Sequence, residues 1–406
     1  MPEVFLVGGV RTPLARYGGS LAEVRPDDLA ALVIREVIRR TGLDDDWIDE
    51  VILGAANQSG EDNRNVARMA ILLAGLPDSV PGYTVNRLCA SGLTAVASAA
   101  QAVRSGEMDL VIAGGVESMT RSPWVMAKPG TPWAKPGEVS DTSLGWRFVN
   151  PNFLASDLLQ PVKEGMRQRM ITLSMGETAE EVALLDRITR DESDLFALRS
   201  HERALAAIDA GRFERDVVAV RTSEGDFIQD EVPRRNTTLE RLAALRPVFR
   251  VGGIVTAGTS SPLADGAAAV IVASEEAVEK YGLNPRARVV MSASAGVSPD
   301  VMGLGPVPAT QSALSKAHWT IENIDAVELN EAFAVQSLAV VRRLNLDEEI
   351  VNRDGGAIAL GHPLGCSGAR ILITLLGRLE REGGRRGLAT LCVGVGQGVS
   401  MLVEKV

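Results

Sequence analysis

The 406-residue sequence predicts an α/β protein made of two similar halves, with a subdomain inserted in the first. Three observations predict it. Short apolar runs alternate with helical stretches, the rhythm of a mostly parallel sheet. Forty glycines against 4% aromatics suit many tight strand–helix turns. A weak internal repeat places a small-residue turn, a helix and a strand once in each half.

The elements follow in order. VFLVGGV (4–10) reads as a strand, LAALVIREVIRR (29–40) as a helix, VILGAA (51–56) as a strand and VARMAILLAG (66–75) as a helix. An Ala-rich helix starts near Ser91 and closes at Gly106, and DLVIAGGVE (109–117) is a buried strand. From about 120 the texture changes. Trp124, Trp133 and Trp146 fall within 120–150 beside Pro123, Pro129, Pro132 and Pro136, and charged helical segments follow to about 210. A stretch of that length is no plain loop, so 120–250 is expected to be an inserted subdomain. Residues 1–119 then form the first half, 251–280 its return segment and 281–406 the second half. In that second half GCSGARILITLLGRLEREGG (365–384) reads as a helix and LATLCVGVG (388–396) as a strand. Ser91 to Val111 spans 20 residues and Ser367 to Leu391 spans 24, so the two units nearly superpose. Related halves would bring both helix N-termini, with their free N–H groups, to one interface.

Composition excludes several function classes. The net charge of −10 argues against a nucleic-acid or anionic-membrane surface. No apolar run reaches the ~18 residues that span a bilayer. The start MPEVFLVGGVRTP lacks a signal peptide's basic region and apolar core, and LVEKV is no retention signal. Three cysteines do not read as a disulfide framework. The expectation is a cytoplasmic enzyme.

VNRLCASGL (85–93) sets Cys89 at the start of the Ala-rich helix, where the helix dipole favours an anion. That setting predicts a lowered thiol pKa and thiolate near neutrality; a buried, inert cysteine is the alternative. Other stretches stand out. GHPLGCSG (361–368) puts His362 before a Gly-rich helix start. ELNEAFA (328–334) puts Asn330 where an apolar run meets a helical pattern, and LCVGVGQG (391–398) puts Cys392 at a strand end. VTAGTSS (255–261) is a small-residue turn that a ligand can approach closely. Together these suit acyl transfer through a thioester. Cys89 is the nucleophile and His362 takes its proton. Asn330 and amides near Cys89 and Gly394 stabilise an oxyanion, and Cys392 serves as a second acid/base.

Rival readings are weaker. His362 could cap a helix, and Asn330 alone is more often a cap than an oxyanion donor. No metal is expected, because Cys366, Cys392 and His362 lack the C-x₂-C pattern. GVGQG fails as a dinucleotide fingerprint, since only eight residues follow Gly398. A Cys–His–Asn hydrolase would leave Cys392 and the two halves unexplained. His201 and His318, in charged helical surroundings, are expected at the surface.

RTP (11–13), NRLCASG (86–92), VTAGTSS, NEAFA (330–334), GHPLGCSG and C-x-G-x-G-x-G (392–398), in that order, resemble the thiolase family. The resemblance implies two βαβαβ halves in an α-β-α-β-α stack, with an inserted loop domain that binds CoA. It implies that Cys89 accepts the acyl group, His362 activates it, and Asn330 holds an oxyanion-hole water. Cys392 becomes the acid/base, and the Gly394 amide pairs with that of Cys89. Ser261 matches a serine near the pantetheine, Met175 and Met302 match methionines beside the thioester, and Phe333 belongs to the same substrate contacts. The stretch 231–250 carries five arginines against two glutamates. Arg234 there matches a CoA nucleotide contact; an exposed helix face is the alternative. Three positions depart from the family: Val395 where many members have glycine, Ser174 for a histidine and Thr259 for an asparagine.

The implied reaction is 3-oxoacyl-CoA plus CoA giving acyl-CoA plus acetyl-CoA, or the reverse condensation. CoA serves as substrate with no other cofactor, and the assembly is a homodimer or homotetramer. DTSLGWRFVNP (141–151) with GVGQG is most similar to β-ketoadipyl-CoA thiolases, so 3-oxoadipyl-CoA is the implied substrate. If GWRFVNP shapes a pocket for that chain, Arg147 meets its distal carboxylate; a loop-packing arginine is the alternative. A general acetyl-CoA acetyltransferase acting on acetoacetyl-CoA is one alternative. A non-catalytic thiolase-like lipid-binding protein is another, but it should lack the nucleophile or the acid/base. A decarboxylating ketosynthase typically has histidine where Cys392 stands.

Overall fold

The computed structural model describes residues 2–153 and 170–406. The part of the expected subdomain at 154–169 lies outside the described residues. Nine strands form one continuous hydrogen-bonded path: β1 (Val4–Arg11), β2 (Glu50–Gly54), β3 (Gly82–Val85), β4 (Leu110–Ser118), β5 (Ala264–Ser274), β6 (Pro285–Gly296), β7 (Ala326–Leu329), β8 (Arg386–Val393) and β9 (Gln397–Lys405). Their spatial order is β7-β8-β9-β6-β1-β5-β4-β2-β3, so the two halves join through β1 and β6.

The expectation of a mostly parallel sheet is corrected. Only β2–β3, β2–β4 and β7–β8 are parallel, and every other pair on the path is antiparallel. Parallel pairing needs a crossover long enough to hold a helix. That condition holds where β2, β3 and β4 are linked by α2 (Val66–Leu73) and α3 (Ser91–Ser105). It fails between β8 and β9, which only Gly394, Val395 and Gly396 connect. Strand β5 arrives after the insertion and inserts antiparallel between β1 and β4.

Helix boundaries follow local chemistry. α1 (Pro26–Thr41) begins with proline in its first turn, followed by Asp27 and Asp28. It ends at Gly42, whose φ of +70° closes the last turn. α3 starts at Ser91 and is capped by Gly106, as the sequence predicts. The remaining long helices are α4 (Met175–Asp186), α5 (Arg190–Asp209), α6 (Pro306–Ala317), α7 (Ala334–Leu344) and α8 (Leu364–Glu382). Among these described elements, α1 and α2 cover one face of the first-half strands. α3 and α8 lie in a central layer, packed against strands of both halves through Leu93, Val96, Ile371 and Leu375. α6 and α7 cover the far face of the second half. The layers therefore run helix, sheet, helix, sheet, helix.

The insertion contributes α4 and α5, whose apolar side chains pack with Met302, Phe333 and Leu338 of the second half. Arg11, at the end of β1, pairs through both terminal nitrogens with Asp230 at 2.7 and 2.8 Å, fully buried. Removing one partner of such a pair leaves an uncompensated buried charge, so this bridge holds the insertion to the sheet at a defined place. His201 departs from expectation. It is buried, its Nδ1 accepts from the Arg234 amide at 3.2 Å, and burial pushes its pKa down to about 4. A periodic pattern does not reveal that the insertion folds over that face of α5. His318 is exposed, as expected.

Candidate active site

Cys89 lies in a tight turn, Leu88–Ala90, immediately before α3. Leu88 there has φ +45°, a left-handed conformation that costs a branched side chain energy. Surrounding bonds hold it. Asn86 Oδ1 accepts from the Leu88 amide at 2.9 Å, while Ser91 Oγ accepts from the Arg87 amide at 2.9 Å and donates to the Leu88 carbonyl at 2.7 Å. Ser91 and Asn86 are what aim the thiol. The neighbouring glycines have a different task. A Cβ on Gly115 would stand 2.0 Å from the Gly365 carbonyl oxygen, and one on Gly365 would stand 2.4 Å from that of Val116. Only glycine lets the start of α8 reach the first half.

That contact brings His362, two residues before α8, to the same cavity as Cys89 and Cys392. His362 Nδ1 lies 2.6 Å from Ser367 Oγ, and that hydroxyl donates to the Pro363 carbonyl at 2.9 Å. Its one proton being so used, Ser367 accepts from Nδ1–H. Nε2 is therefore the basic nitrogen, and Asn330 Nδ2 lies 3.4 Å from it. Asn330 is fully buried and its Oδ1 has no partner among the described residues. Glu331 beside it accepts from Ser200, Asn352 and the Ile358 amide, which fixes the loop.

The thiol's protonation corrects the sequence expectation. Burial pushes Cys89 up to about 11, although its own amide and that of Gly394 hydrogen-bond the sulfur and pull the other way. Desolvation outweighs the helix terminus. His362 is pushed down to about 3 by burial and then by the buried Arg370 guanidinium. Cys392 is raised by burial and by Cys89 beside it. The resting pair is a neutral thiol and a neutral imidazole.

Ser261, Met175, Met302 and Phe333 line the inner cavity with these groups, and the Ser261 amide donates to the Ala332 carbonyl at 3.0 Å. A second, outer cavity of about 820 Å³, counted out to open solvent, also reaches Cys89 and is lined by Gly394, Val395 and Arg147. Val395 holds φ +63°, a conformation that favours glycine and matches the residue many family members carry there. Arg234 is exposed and lines neither cavity. Sequence reasoning missed Ser367 and Glu117. Ser367 sits inside GHPLGCSG at a five-residue spacing from His362, and Glu117 is an acid ending an otherwise apolar strand. Its carboxylate accepts from the amides of Ala56 (2.8 Å), Asn57 (3.0 Å) and Gly365 (2.7 Å), bridging both halves. Among the described residues no cluster of His, Cys, Asp or Glu could hold a metal, and no helix is long and apolar enough to cross a membrane.

The family model for the thiolase N-terminal domain matches residues 4–276, and that for the C-terminal domain matches 283–405. A β-ketoadipyl-CoA thiolase of Pseudomonas aeruginosa is 53% identical over 100% of this chain and 99% of its own length. A 3-oxoadipyl-CoA/3-oxo-5,6-dehydrosuberyl-CoA thiolase of Escherichia coli is 51% identical over 100% of both. Human mitochondrial 3-ketoacyl-CoA thiolase, solved in complex with CoA, superposes with a TM-score of 0.91 at 37% identity, covering 100% of this chain and 98% of that one. Matched in both halves, and carrying its cysteines where those halves meet, the chain belongs to the thiolase family, whose members are acyltransferases.

Proposed function

We propose that the enzyme cleaves 3-oxoadipyl-CoA with CoA, giving succinyl-CoA and acetyl-CoA. The observation that carries the reaction is the convergence of Cys89, His362 and Cys392 on one cavity, with the Gly394 amide on the nucleophile's sulfur. The names of the full-length relatives support the substrate.

In the first step Cys89 Sγ attacks the C3 carbonyl as its proton passes to His362 Nε2. The developing oxyanion receives the amides of Cys89 and Gly394. Negative charge beside the imidazole offsets the burial that keeps it neutral at rest. The C2–C3 bond then breaks, its electron pair becomes the enolate of acetyl-CoA, and Cys392 delivers a proton to C2. His362 and Asn330, with the water it holds, stabilise that enolate. A second CoA gives its thiol proton to Cys392 and takes the succinyl group from Cys89, whose departing sulfur recovers its proton from His362. Ser261, Met175, Met302 and Phe333 serve as contacts to the pantetheine and thioester, and Arg234 as a contact to the CoA nucleotide. CoA as substrate is the only small molecule this scheme needs. Assembly as a homodimer or homotetramer and a cytoplasmic location extend the same reading.

A thiolysis panel of 3-oxoacyl-CoA esters with product masses tests it. The highest kcat/KM should fall on 3-oxoadipyl-CoA, with succinyl-CoA appearing. Equal or better turnover of acetoacetyl-CoA would make the enzyme a general acetyl-CoA acetyltransferase, and no turnover of any ester would favour a lipid-binding role.

A further inference from the structure

Two cavities meet at Cys89, and His362 and Cys392 line only the inner one. The outer one runs from Cys89 past Gly394 and Val395 to the 142–147 loop. Among the described residues its walls carry one acid, Glu117, and one cation, Arg147. The oxygens of Glu117 face three main-chain amides. Arg147 is differently placed. It is half-buried, and Nη1 reaches the Thr142 carbonyl at 3.5 Å, the outer limit of a hydrogen bond. Among the described residues no carboxylate pairs with it.

The loop that presents Arg147 is itself anchored. Thr142 Oγ1 donates to the Pro123 carbonyl at 2.6 Å and accepts from Asn57 Nδ2 at 2.8 Å. Trp146 Nε1 donates to the Leu173 carbonyl at 3.1 Å. Gly145 and Phe148, with φ +87° and +52°, turn the chain sharply on either side of Trp146 and Arg147. The guanidinium is thus carried to a cavity wall by tied neighbours, while among the described residues its own donors stay almost unengaged.

We infer that the outer cavity holds the acyl chain and that Arg147 binds a carboxylate at its end, an assignment that rests on the substrate reading above. Attack at C3 forms the Sγ–C3 bond and releases acetyl-CoA, which leaves a succinyl group on Cys89. Its carboxylate lies four bonds beyond the sulfur. A planar guanidinium can bind that group through two parallel, charge-assisted hydrogen bonds. A methyl-terminated chain offers it nothing.

The test compares 3-oxoadipyl-CoA with 3-oxohexanoyl-CoA, which has the same chain length and no charge. The wild-type enzyme should prefer the dicarboxylic ester roughly ten- to a hundredfold in kcat/KM. Arg147→Gln should lower kcat/KM for that ester roughly ten- to a hundredfold more than for the neutral one, and Arg147→Lys should recover part of the difference. A preference that survives in both variants, or an equal loss on both esters, overturns the Arg147 assignment while leaving the substrate reading intact. A wild-type enzyme without the preference overturns both.

Discussion

Glu117→Gln should weaken the junction of the two halves in a way that depends on pH. The carboxylate is buried and accepts three amides, two from the turn after β2 and one from the first turn of α8. Burial pushes its carboxyl up to about 7, the amides of Ala56 and Asn57 oppose that shift, and the charge of Asp62 adds to it. With a folded pKa above the ordinary 4.5, the folded state holds a proton that the unfolded chain releases. The associated stability is full below pH 4.5 and is lost as pH rises through about 7. Between pH 5.5 and 8.5 the loss amounts to about 2 kcal/mol. Glutamine does not titrate and must turn its NH₂ toward at least one amide, leaving a buried donor unpaired at a cost of ~1–3 kcal/mol. The variant should therefore be less stable than wild type at pH 5.5, with a deficit that shrinks by about 2 kcal/mol by pH 8.5. Urea unfolding of both proteins at both pH values measures this, because Asp62 and Glu328 titrate in each and largely cancel in the difference. A deficit that grows with pH would mean that the amides outweigh burial, and the reasoning would be refuted.

Three further outcomes are expected. Cys392→Ser should still be acylated at Cys89 but lose thiolysis and condensation by ~10²–10⁴-fold, and exchange of acetyl-CoA methyl protons with solvent deuterium should fall with it; near-normal turnover would reduce Cys392 to a packing residue. Ser367→Ala removes the acceptor that orients His362, so kcat should drop about tenfold, the equivalent of one lost hydrogen bond; an unchanged acylation rate and pH profile would count against the tautomer assignment. Alkylation by iodoacetamide, read by peptide mapping, should mark Cys89 ahead of Cys366, which is fully buried. Its rate should climb roughly tenfold per pH unit through pH 10. A plateau near pH 8 would show that the helix terminus, not burial, governs the thiol.

The residues proposed to carry the chemistry were legible because each sits at a local signature. Cys89 precedes an Ala-rich helix, His362 a Gly-rich one, and Cys392 a glycine turn between two apolar strands. One helix end was equally readable, since Gly106 closes its helix through a φ that its own type permits. Arg234 is exposed and lies outside both cavities, so its assignment as a CoA nucleotide contact rests on motif matching alone.

By itself, then, the sequence determined the alternation of elements, the two related units and the residues proposed as nucleophile, base and acid, all of which depend on neighbours within a few residues. The tertiary structure decided strand direction, His201's burial, the tautomer imposed by Ser367 and the bridge made by Glu117. It also reversed the expected direction of the Cys89 pKa shift. The physical reason is common to these. Strand pairing, desolvation and the Glu117 bridge depend on what the rest of the chain brings near, and Glu117 and Gly365 are 248 residues apart in sequence. A helix dipole acts on whatever stands at its end, but how much water that position keeps is settled only when both halves close over it.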